Sequence, residues 1–189
     1  MHATLCDFVS DIVQNSIEAN SRLIEVDVEE NGNKMRFTIT DDGKGMDEHT
    51  LNVVLDPFYT DGIKHKSRTV GLGLPFLKQT VDAVGGDFSI ESEVGEGTTV
   101  KCSFLTDHID CPPLGDLVTT IMMLLTYPGK HELVVTHTIR NGARRQGYSV
   151  AKSEMLEALG EVETSGSLML LKKYLQSQED SIEDNEIHA

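Results

Sequence analysis

Two short polar motifs enclose a predicted β-hairpin near the start of this 189-residue chain, and their order constrains both the fold and the site. The first motif is DIVQNSIEA, from Asp11 to Ala19, and the second is DDGKGM, from Asp41 to Met46. Apolar residues recur at helical spacing around the first motif, and two alternating apolar and polar runs separate it from the second. The pattern predicts a helix, a hairpin that turns at residues 31–33, and a loop carrying the second motif.

The first motif places a carboxylate and a carboxamide on one face of its helix. Asn15 follows Asp11 by four residues, so the two side chains point in the same direction. A carboxamide oxygen can ligate Mg²⁺ beside a triphosphate without repelling the phosphates, which makes Asn15 the candidate metal ligand. Asp11 could accept a proton from an attacking hydroxyl or water, and it is the candidate catalytic base. A polar helix face turned to solvent would produce the same spacing.

The second motif places a carboxylate beside flexible glycines. Asp41 can accept a hydrogen bond from the exocyclic amine of adenine, while Gly43 and Gly45 let the backbone approach the base. We include Met46, the last residue of the motif, among the nucleotide contacts. The hydroxyl of Thr98, which opens a later predicted strand, could complete the adenine pocket. An ordinary turn is also compatible with this motif.

A glycine-rich segment precedes a second predicted helix. The unpaired N–H groups and partial positive charge of a helix N-terminus favour phosphate. Four contacts are assigned to this segment: Gly71, Leu72, Gly73 and Leu74. Just upstream, Lys64, Lys66 and Arg68 could clamp the β- and γ-phosphates, although a solvated loop would also explain them. They lie in a polar stretch without periodicity, residues 56–69, that predicts a long loop of the kind that often serves as a lid.

In this order, the motifs resemble those of the GHKL ATPase superfamily, which includes histidine-kinase ATP-binding domains, gyrase, mismatch-repair ATPases and heat-shock chaperones. DIVQNSIEA resembles its N box, DDGKGM its first glycine box, VGLGL its second and GEGTTV its last, and DPFYT resembles the segment entering the lid. The resemblance covers about the first 106 residues. It implies an α+β Bergerat fold, a two-layer sandwich of a mixed β-sheet with helices on one face. It also implies ATP and Mg²⁺ as cofactors and a lid that moves with nucleotide. The ATPase members carry Glu where this chain has Asp11, which is one methylene shorter.

Three segments are predicted along the chain. Residues 1–106 form the histidine-kinase-like ATP-binding domain, and 107–178 form a small α/β extension of unknown role. Within the extension we expect a hairpin that turns at Asn141-Gly142 and a short helix capped by Ser153. Residues 179–189 are acidic and predict a disordered tail.

Composition argues against several classes of partner. The formal net charge of -15 disfavours a broad nucleic-acid-binding face. No apolar run approaches the roughly 20 residues of a transmembrane helix, so membrane insertion is not expected. The three cysteines show no CxxC pair, and the N-terminus predicts no signal peptide. We therefore expect a cytoplasmic protein.

Three functions remain open from the sequence. The first is a stand-alone bacterial protein of the histidine-kinase or anti-sigma-kinase type, which transfers the γ-phosphoryl group to a separate protein partner. Its support is a kinase-like lid without a preceding phosphoacceptor helix; the only His-Glu pair, His131-Glu132, starts a predicted strand and is rejected as an acceptor. The second is a slow ATPase that acts as a nucleotide-dependent conformational switch or dimer gate, in which the chain could form a homodimer. The third is a nucleotide-binding module without catalysis.

Overall fold

The computed structural model describes residues 3–56, 73–160 and 164–187, with side chains described as far as 182. Its helices and strands, in chain order, are α1 Leu5–Glu18, β1 Leu23–Asn31, β2 Lys34–Asp41, α2 Glu48–Val54, α3 Gly73–Ala83, β3 Phe88–Glu93, β4 Gly97–Leu105, α4 Leu117–Thr126, β5 Glu132–Asn141, β6 Arg144–Ala151, α5 Lys152–Leu159 and α6 Ser165–Ile187. None of the described helices is both long enough and apolar enough to cross a bilayer.

One mixed sheet organises these elements. Its six strands have the order β3-β4-β2-β1-β5-β6. Among the described strands, only the β1–β5 pairing is parallel, and the other four pairings are antiparallel. Burial alternates along the central strands, as in Ile24, Val26 and Val28 of β1, and α1, α3, α4 and α6 all contact the sheet. The predicted α+β fold with a mixed sheet is therefore confirmed.

Both predicted hairpins form where glycine permits a tight turn. Gly32 has a φ of +58° between β1 and β2, and Gly142 has a φ of +60° between β5 and β6. A left-handed conformation costs glycine little, so each turn is compatible with a short connection between antiparallel strands. A further helix, α2, begins after the second motif, where the Asp47 carboxylate accepts a hydrogen bond from the Thr50 backbone N–H.

Helix α1 begins with a capping box. A distant segment of the chain accepts hydrogen bonds from other N–H groups of the first turn of this helix. The Thr4 hydroxyl accepts from the Asp7 N–H, and the Asp7 carboxylate accepts from the Thr4 N–H. The N–H groups of Leu5 and Cys6 donate to the carbonyls of Pro113 and Leu114, at 2.9 and 3.0 Å. The chain that follows β4 therefore returns to satisfy the first turn of α1.

The segment after residue 106 extends the same sheet. β5 pairs in parallel with β1 from Leu23↔Glu132 to Asn31↔Arg140, and β6 then forms the edge. The predicted division between residues 106 and 107 stays a prediction, but the strands on its two sides share one sheet. The sequence did not predict this pairing, because a parallel partner carries no turn signature.

Two local predictions for this segment differ from the structure. Ser153 does not cap α5, which begins at Lys152 after an Ala151 without a side-chain cap. Instead, the Glu132 carboxylate accepts from the Ser153 backbone N–H at 3.1 Å. The tail predicted to be disordered from residue 179 continues as α6 through Ile187, with Glu179 and Ile182 buried. These two residues continue the buried stripe of Leu171 and Leu175. The acidic composition of the segment does not indicate such a stripe.

A buried histidine joins α6 to the sheet. His137 of β5 is 2% exposed, and its Nδ1 lies 3.0 Å from Glu179 Oε2 while its Nε2 lies 3.1 Å from Glu30 Oε1. The Tyr148 hydroxyl also donates to the Glu179 carboxylate. Burial alone would lower the pKa of His137, but hydrogen bonds and attraction from Glu179 and Glu30 outweigh it and raise that pKa to about 9.

We expect this histidine to make folding stability depend on pH. The folded-state pKa lies above the unfolded value, so the contribution is complete below about pH 6.5 and disappears as pH rises through 9. It should reach on the order of 3 kcal/mol at low pH. Urea unfolding of wild type and His137→Gln between pH 6 and pH 10 measures this contribution. We expect the difference in free energy of unfolding between the two proteins to become smaller as pH rises. His49→Gln, the same change at an exposed position of α2, should leave the profile unchanged; a constant difference for His137→Gln would contradict the assignment.

Candidate functional site

Asp41 ends β2 as a buried carboxylate with three hydrogen-bonding groups around it. Its side chain faces the helices, at a position paired with Ile24 on one side and Thr98 on the other. The residue is 8% exposed. Oδ2 accepts from the Ser16 hydroxyl at 2.7 Å, and Oδ1 accepts from the Gly43 N–H at 2.9 Å and lies 3.1 Å from the Ser21 hydroxyl. A buried carboxylate with these partners is a fixed acceptor at the end of the strand.

Backbone packing requires glycine in the second motif, at Gly43 and Gly45, and at Gly97, the first residue of β4. A Cβ at Gly45, whose φ is +60°, would lie 1.9 Å from the Glu93 carbonyl oxygen. A Cβ at Gly97, whose φ is +114°, would lie 1.8 Å from the Asp41 carbonyl oxygen. At Gly43 it would lie 2.6 Å from the Ser21 hydroxyl. The glycines let this loop lie against β3, β4 and the end of α1; their approach to a base stays a prediction.

Ser92 of β3 connects the loop after β2 to Thr98, another of the predicted site residues. Its hydroxyl oxygen accepts from the Met46 N–H at 2.8 Å and lies 2.9 Å from both the Gly97 carbonyl oxygen and the Thr98 hydroxyl. The structure therefore brings Met46 and Thr98 to one hydroxyl, and Thr98 lies directly across from Asp41.

Asp11 and Asn15 lie on α1, and Asp11 packs against the start of α3. A Cβ built on Gly73 would lie 3.0 Å from Asp11 Oδ2. Asp11 is partly buried, whereas Asn15 is exposed one turn further along the helix. The N-terminal end of a helix carries a partial positive charge, so this arrangement places a carboxylate at a site suited to anions.

Part of the predicted phosphate site lies outside the described residues. Gly73 is the first residue of α3, and Leu74 follows it with its side chain partly buried against the core. The other predicted contacts in this region, Lys64, Lys66, Arg68, Gly71 and Leu72, lie outside the described residues. In residues 3–56, 73–160 and 164–187, no three His, Cys, Asp or Glu side chains cluster as a metal site.

Sequence reasoning missed the serines that hold Asp41. Ser16 falls one turn after Ile12 on the buried stripe of α1, and a polar residue in such a stripe predicts a buried polar partner. Ser21, beyond the end of the helix, carries no such signal.

Asp42, which follows Asp41, has a structural role, because its Oδ1 accepts from the N–H groups of Arg22 and Leu23 at 2.6 and 2.8 Å. The hydrogen bond from Leu23, supported by Arg22, holds the pKa of Asp42 below its usual value.

Comparison with known proteins identifies the family. The family model for histidine kinase-, DNA gyrase B- and HSP90-like ATPases matches residues 2–108, more than half of the chain. The chain belongs to this family, and its matched part is a GHKL ATPase domain of the histidine-kinase type.

The curated relatives are much longer than this chain. Sporulation kinase B of Bacillus subtilis is 30% identical over 102 residues, which are 52% of this chain and 23% of the relative. Sensor histidine kinase WalK of the same organism is 32% identical over 101 residues, which are 51% of this chain and 16% of the relative. The chain thus spans less than a quarter of the length of either relative.

A solved structure shares the fold over most of the chain. The N-terminal domain of a DNA repair protein superposes with a TM-score of 0.57 and 16% identity, covering 88% of this chain and 59% of that one. The likeness concerns the fold alone. Its coverage exceeds that of the family match, so the shared fold extends to residues beyond 108.

Two glycines of one turn should differ sharply in their tolerance of alanine. Gly97→Ala would place a Cβ against the Asp41 carbonyl, whereas Gly95, with a φ of +87°, has nothing within 4 Å of its built Cβ. We expect Gly97→Ala to lower the free energy of unfolding by about 3 kcal/mol or more, and Gly95→Ala by about 1 kcal/mol. Denaturant unfolding of both variants checks this. Equal losses would show that close packing against Asp41 is not the constraint.

Proposed function

We propose that this protein binds Mg-ATP in the cytoplasm and transfers the γ-phosphoryl group to a separate protein partner. One observation carries the proposal: α1 contacts the two predicted ends of a nucleotide site. Ser16 of this helix holds Asp41, and Asp11 of the same helix lies against the first residue of α3. A single rigid helix would thus set the spacing between base recognition and phosphate chemistry.

The base would be recognised at the Asp41 end. A carboxylate fixed by Ser16 and Gly43 can accept one further N–H without reorganising, which suits the exocyclic amine of adenine. Thr98 lies across the sheet from Asp41, with its hydroxyl already oriented by Ser92. The donor and acceptor set at this end therefore fits the cofactor.

The phosphates and Mg²⁺ would bind at the other end. Asn15 offers a neutral, exposed oxygen one helical turn from Asp11, which fits a metal that keeps most of its ligands as water and phosphate. Mg²⁺ would neutralise charge on the β- and γ-phosphates. The N-terminus of α3, with Gly73 and Leu74, would receive phosphate oxygens, and Gly71, Leu72, Lys64, Lys66 and Arg68 are proposed to complete the contacts.

Asp11 would act as the base in the transfer step. A Ser or Thr hydroxyl of the partner loses its proton to the Asp11 carboxylate as its oxygen bonds to the γ-phosphorus. The bond from that phosphorus to the β,γ-bridging oxygen breaks, and ADP leaves. The side chain is one methylene shorter than Glu, but its position beside Gly73 brings it to the start of α3, the helix proposed to receive the phosphates.

A nucleotide-dependent conformational switch is the second candidate, favoured by a contact between the extension and the site. The Glu132 N–H of β5 donates to the Arg22 carbonyl at 2.7 Å, and the adjacent Ser21 contacts Asp41. Movement at the adenine end would therefore reach β5 and the helices packed on it. In this second candidate function the chain hydrolyses ATP slowly and changes its contacts with a partner or a second protomer.

A binding module without catalysis is the third candidate, which the shorter Asp11 side chain would permit.

Asp11→Asn should separate chemistry from binding. We expect it to lower the rate of γ-phosphoryl transfer by about 10²-fold or more and to change ATP affinity by less than about threefold, because a general base acts mainly on the reacting hydroxyl. The assay incubates the protein with γ-labelled Mg-ATP and a cell extract and follows label in protein and in inorganic phosphate. Asp82→Asn makes the same charge change at the exposed far end of α3 and should leave both quantities unaltered.

The destination of the label distinguishes the candidates. Label in a second protein, lost in Asp11→Asn, supports phosphotransfer. Label released only as inorganic phosphate supports the switch, and ATP binding without turnover supports the module.

Variants at the two ends of the site should discriminate between ligands. Asn15→Ala should weaken Mg-ATP by at least about tenfold while adenosine binding stays within about twofold, because adenosine carries no phosphate or metal. Asp41→Asn should weaken both by a similar factor, since it turns an acceptor towards a donor facing the amine. Calorimetric titration with both ligands measures this. Equal effects of each variant on both ligands would contradict the assignment of the two ends.

A further inference from the structure

We infer that Ser16 is a positioning residue that sets the orientation of the Asp41 carboxylate and so controls recognition of the 6-amino group of adenine. The inference rests on the proposed function, because it concerns the same base-recognition end. It adds a residue that none of the motifs singled out as a ligand contact.

Counting protons assigns the Ser16 hydroxyl to Asp41. A serine hydroxyl has one proton to donate, and Ser16 Oγ lies near two acceptors. These are the Ile12 carbonyl at 3.2 Å, within the same helix, and Asp41 Oδ2 at 2.7 Å. The shorter contact also involves a charged acceptor, and such hydrogen bonds are shorter and stronger than neutral ones. The proton therefore belongs to the bond with Asp41.

The Ser21 hydroxyl also has one proton to donate, and its main acceptor is not Asp41. Its hydroxyl lies 2.6 Å from the Ser16 carbonyl and 3.1 Å from Asp41 Oδ1. The single proton goes chiefly to the carbonyl. Ser21 therefore anchors the end of α1 and contacts the carboxylate only secondarily.

Ser16 is thus the side chain that fixes Oδ2. The other oxygen, Oδ1, is held by the backbone N–H of Gly43 at 2.9 Å. Among the described residues, Ser16 alone has a hydrogen bond to Oδ2. Ser16 is 3% exposed and Asp41 is 8% exposed, so water cannot readily replace a lost donor. Without the Ser16 hydroxyl, the carboxylate keeps one anchored oxygen but loses the second restraint on its plane.

This geometry predicts a loss confined to ligands that carry the amine. An adenine ring donates its 6-amino hydrogen to the carboxylate, whereas purine riboside triphosphate has hydrogen at that position and makes no such bond. If Ser16 only stabilised the helix, its removal would affect both ligands alike. The ratio of the two affinities therefore reports positioning and not stability.

The experiment titrates wild type, Ser16→Ala and Ser10→Ala with Mg-ATP and with purine riboside triphosphate. We expect Ser16→Ala to weaken ATP by about tenfold, the loss typical of one hydrogen bond to a charged group, and to leave the analogue within about twofold. Ser10→Ala is the matched control, because it removes a serine hydroxyl of the same helix that donates to a backbone carbonyl, that of Cys6, at 3.0 Å. It should alter neither affinity. If Ser16→Ala does not fold, Ser16→Cys keeps a side chain of similar size with only a weak donor and should lower the same ratio.

The outcomes separate the inference from the proposed function. Wild type that prefers ATP to the analogue, together with a Ser16 variant that retains this preference, overturns the inference and leaves the proposed function standing. Equal weakening of both ligands by the Ser16 variant also overturns it. Wild type that binds the two ligands equally, or binds neither, overturns recognition of adenine by Asp41 and the inference with it.

Discussion

The burial of the Asp41 carboxylate is the constraint around which the first half of the molecule is arranged. A charge with 8% exposure requires donors, and the fold supplies them from α1 and from the loop after β2, with a secondary contact from the turn after α1. Gly43 and Gly97 are needed because a Cβ at either would collide with this arrangement. The same contacts that satisfy the carboxylate also hold it ready as an acceptor, so stability and the proposed recognition of adenine depend on one set of hydrogen bonds.

The parallel pairing of β5 with β1 joins the C-terminal half to that arrangement. β1 starts beside the turn that contacts Asp41, and β5 starts with a hydrogen bond to the same turn. The carbonyls of Pro113 and Leu114 also satisfy the first turn of α1, the helix that carries Asp11, Asn15 and Ser16. The extension therefore contacts both the first turn of α1 and the segment just after this helix, and the proposed conformational switch depends on these contacts.

Helix α6 shows how a strongly acidic segment can pack on a core. Leu171, Leu175 and Ile182 form its buried stripe, and the buried Glu179 meets the imidazole of His137 and the phenol of Tyr148. Because Glu30 contacts the other imidazole nitrogen, the histidine is favoured in its charged form, and the cluster neutralises what would otherwise be a costly buried carboxylate. The acidic composition predicted disorder here, since composition does not reveal a partner brought by β5.

Local pattern determined much of this protein: the period of α1 and α3, both hairpins with their glycine turns, and the family resemblance that the match to residues 2–108 confirmed. It also singled out Asp41, whose burial and hydrogen bonds the structure shows, while the nucleotide roles assigned to that residue, Asn15 and Asp11 remain predictions. The tertiary structure alone decided that β5 pairs with β1, that Ser16 and Ser21 contact the Asp41 carboxylate, and that His137 pairs with Glu179. The physical reason is distance along the chain. Turns, caps and helical periods arise from neighbouring residues, whereas a parallel strand pairing or a buried polar partner depends on residues that only the folded chain brings together.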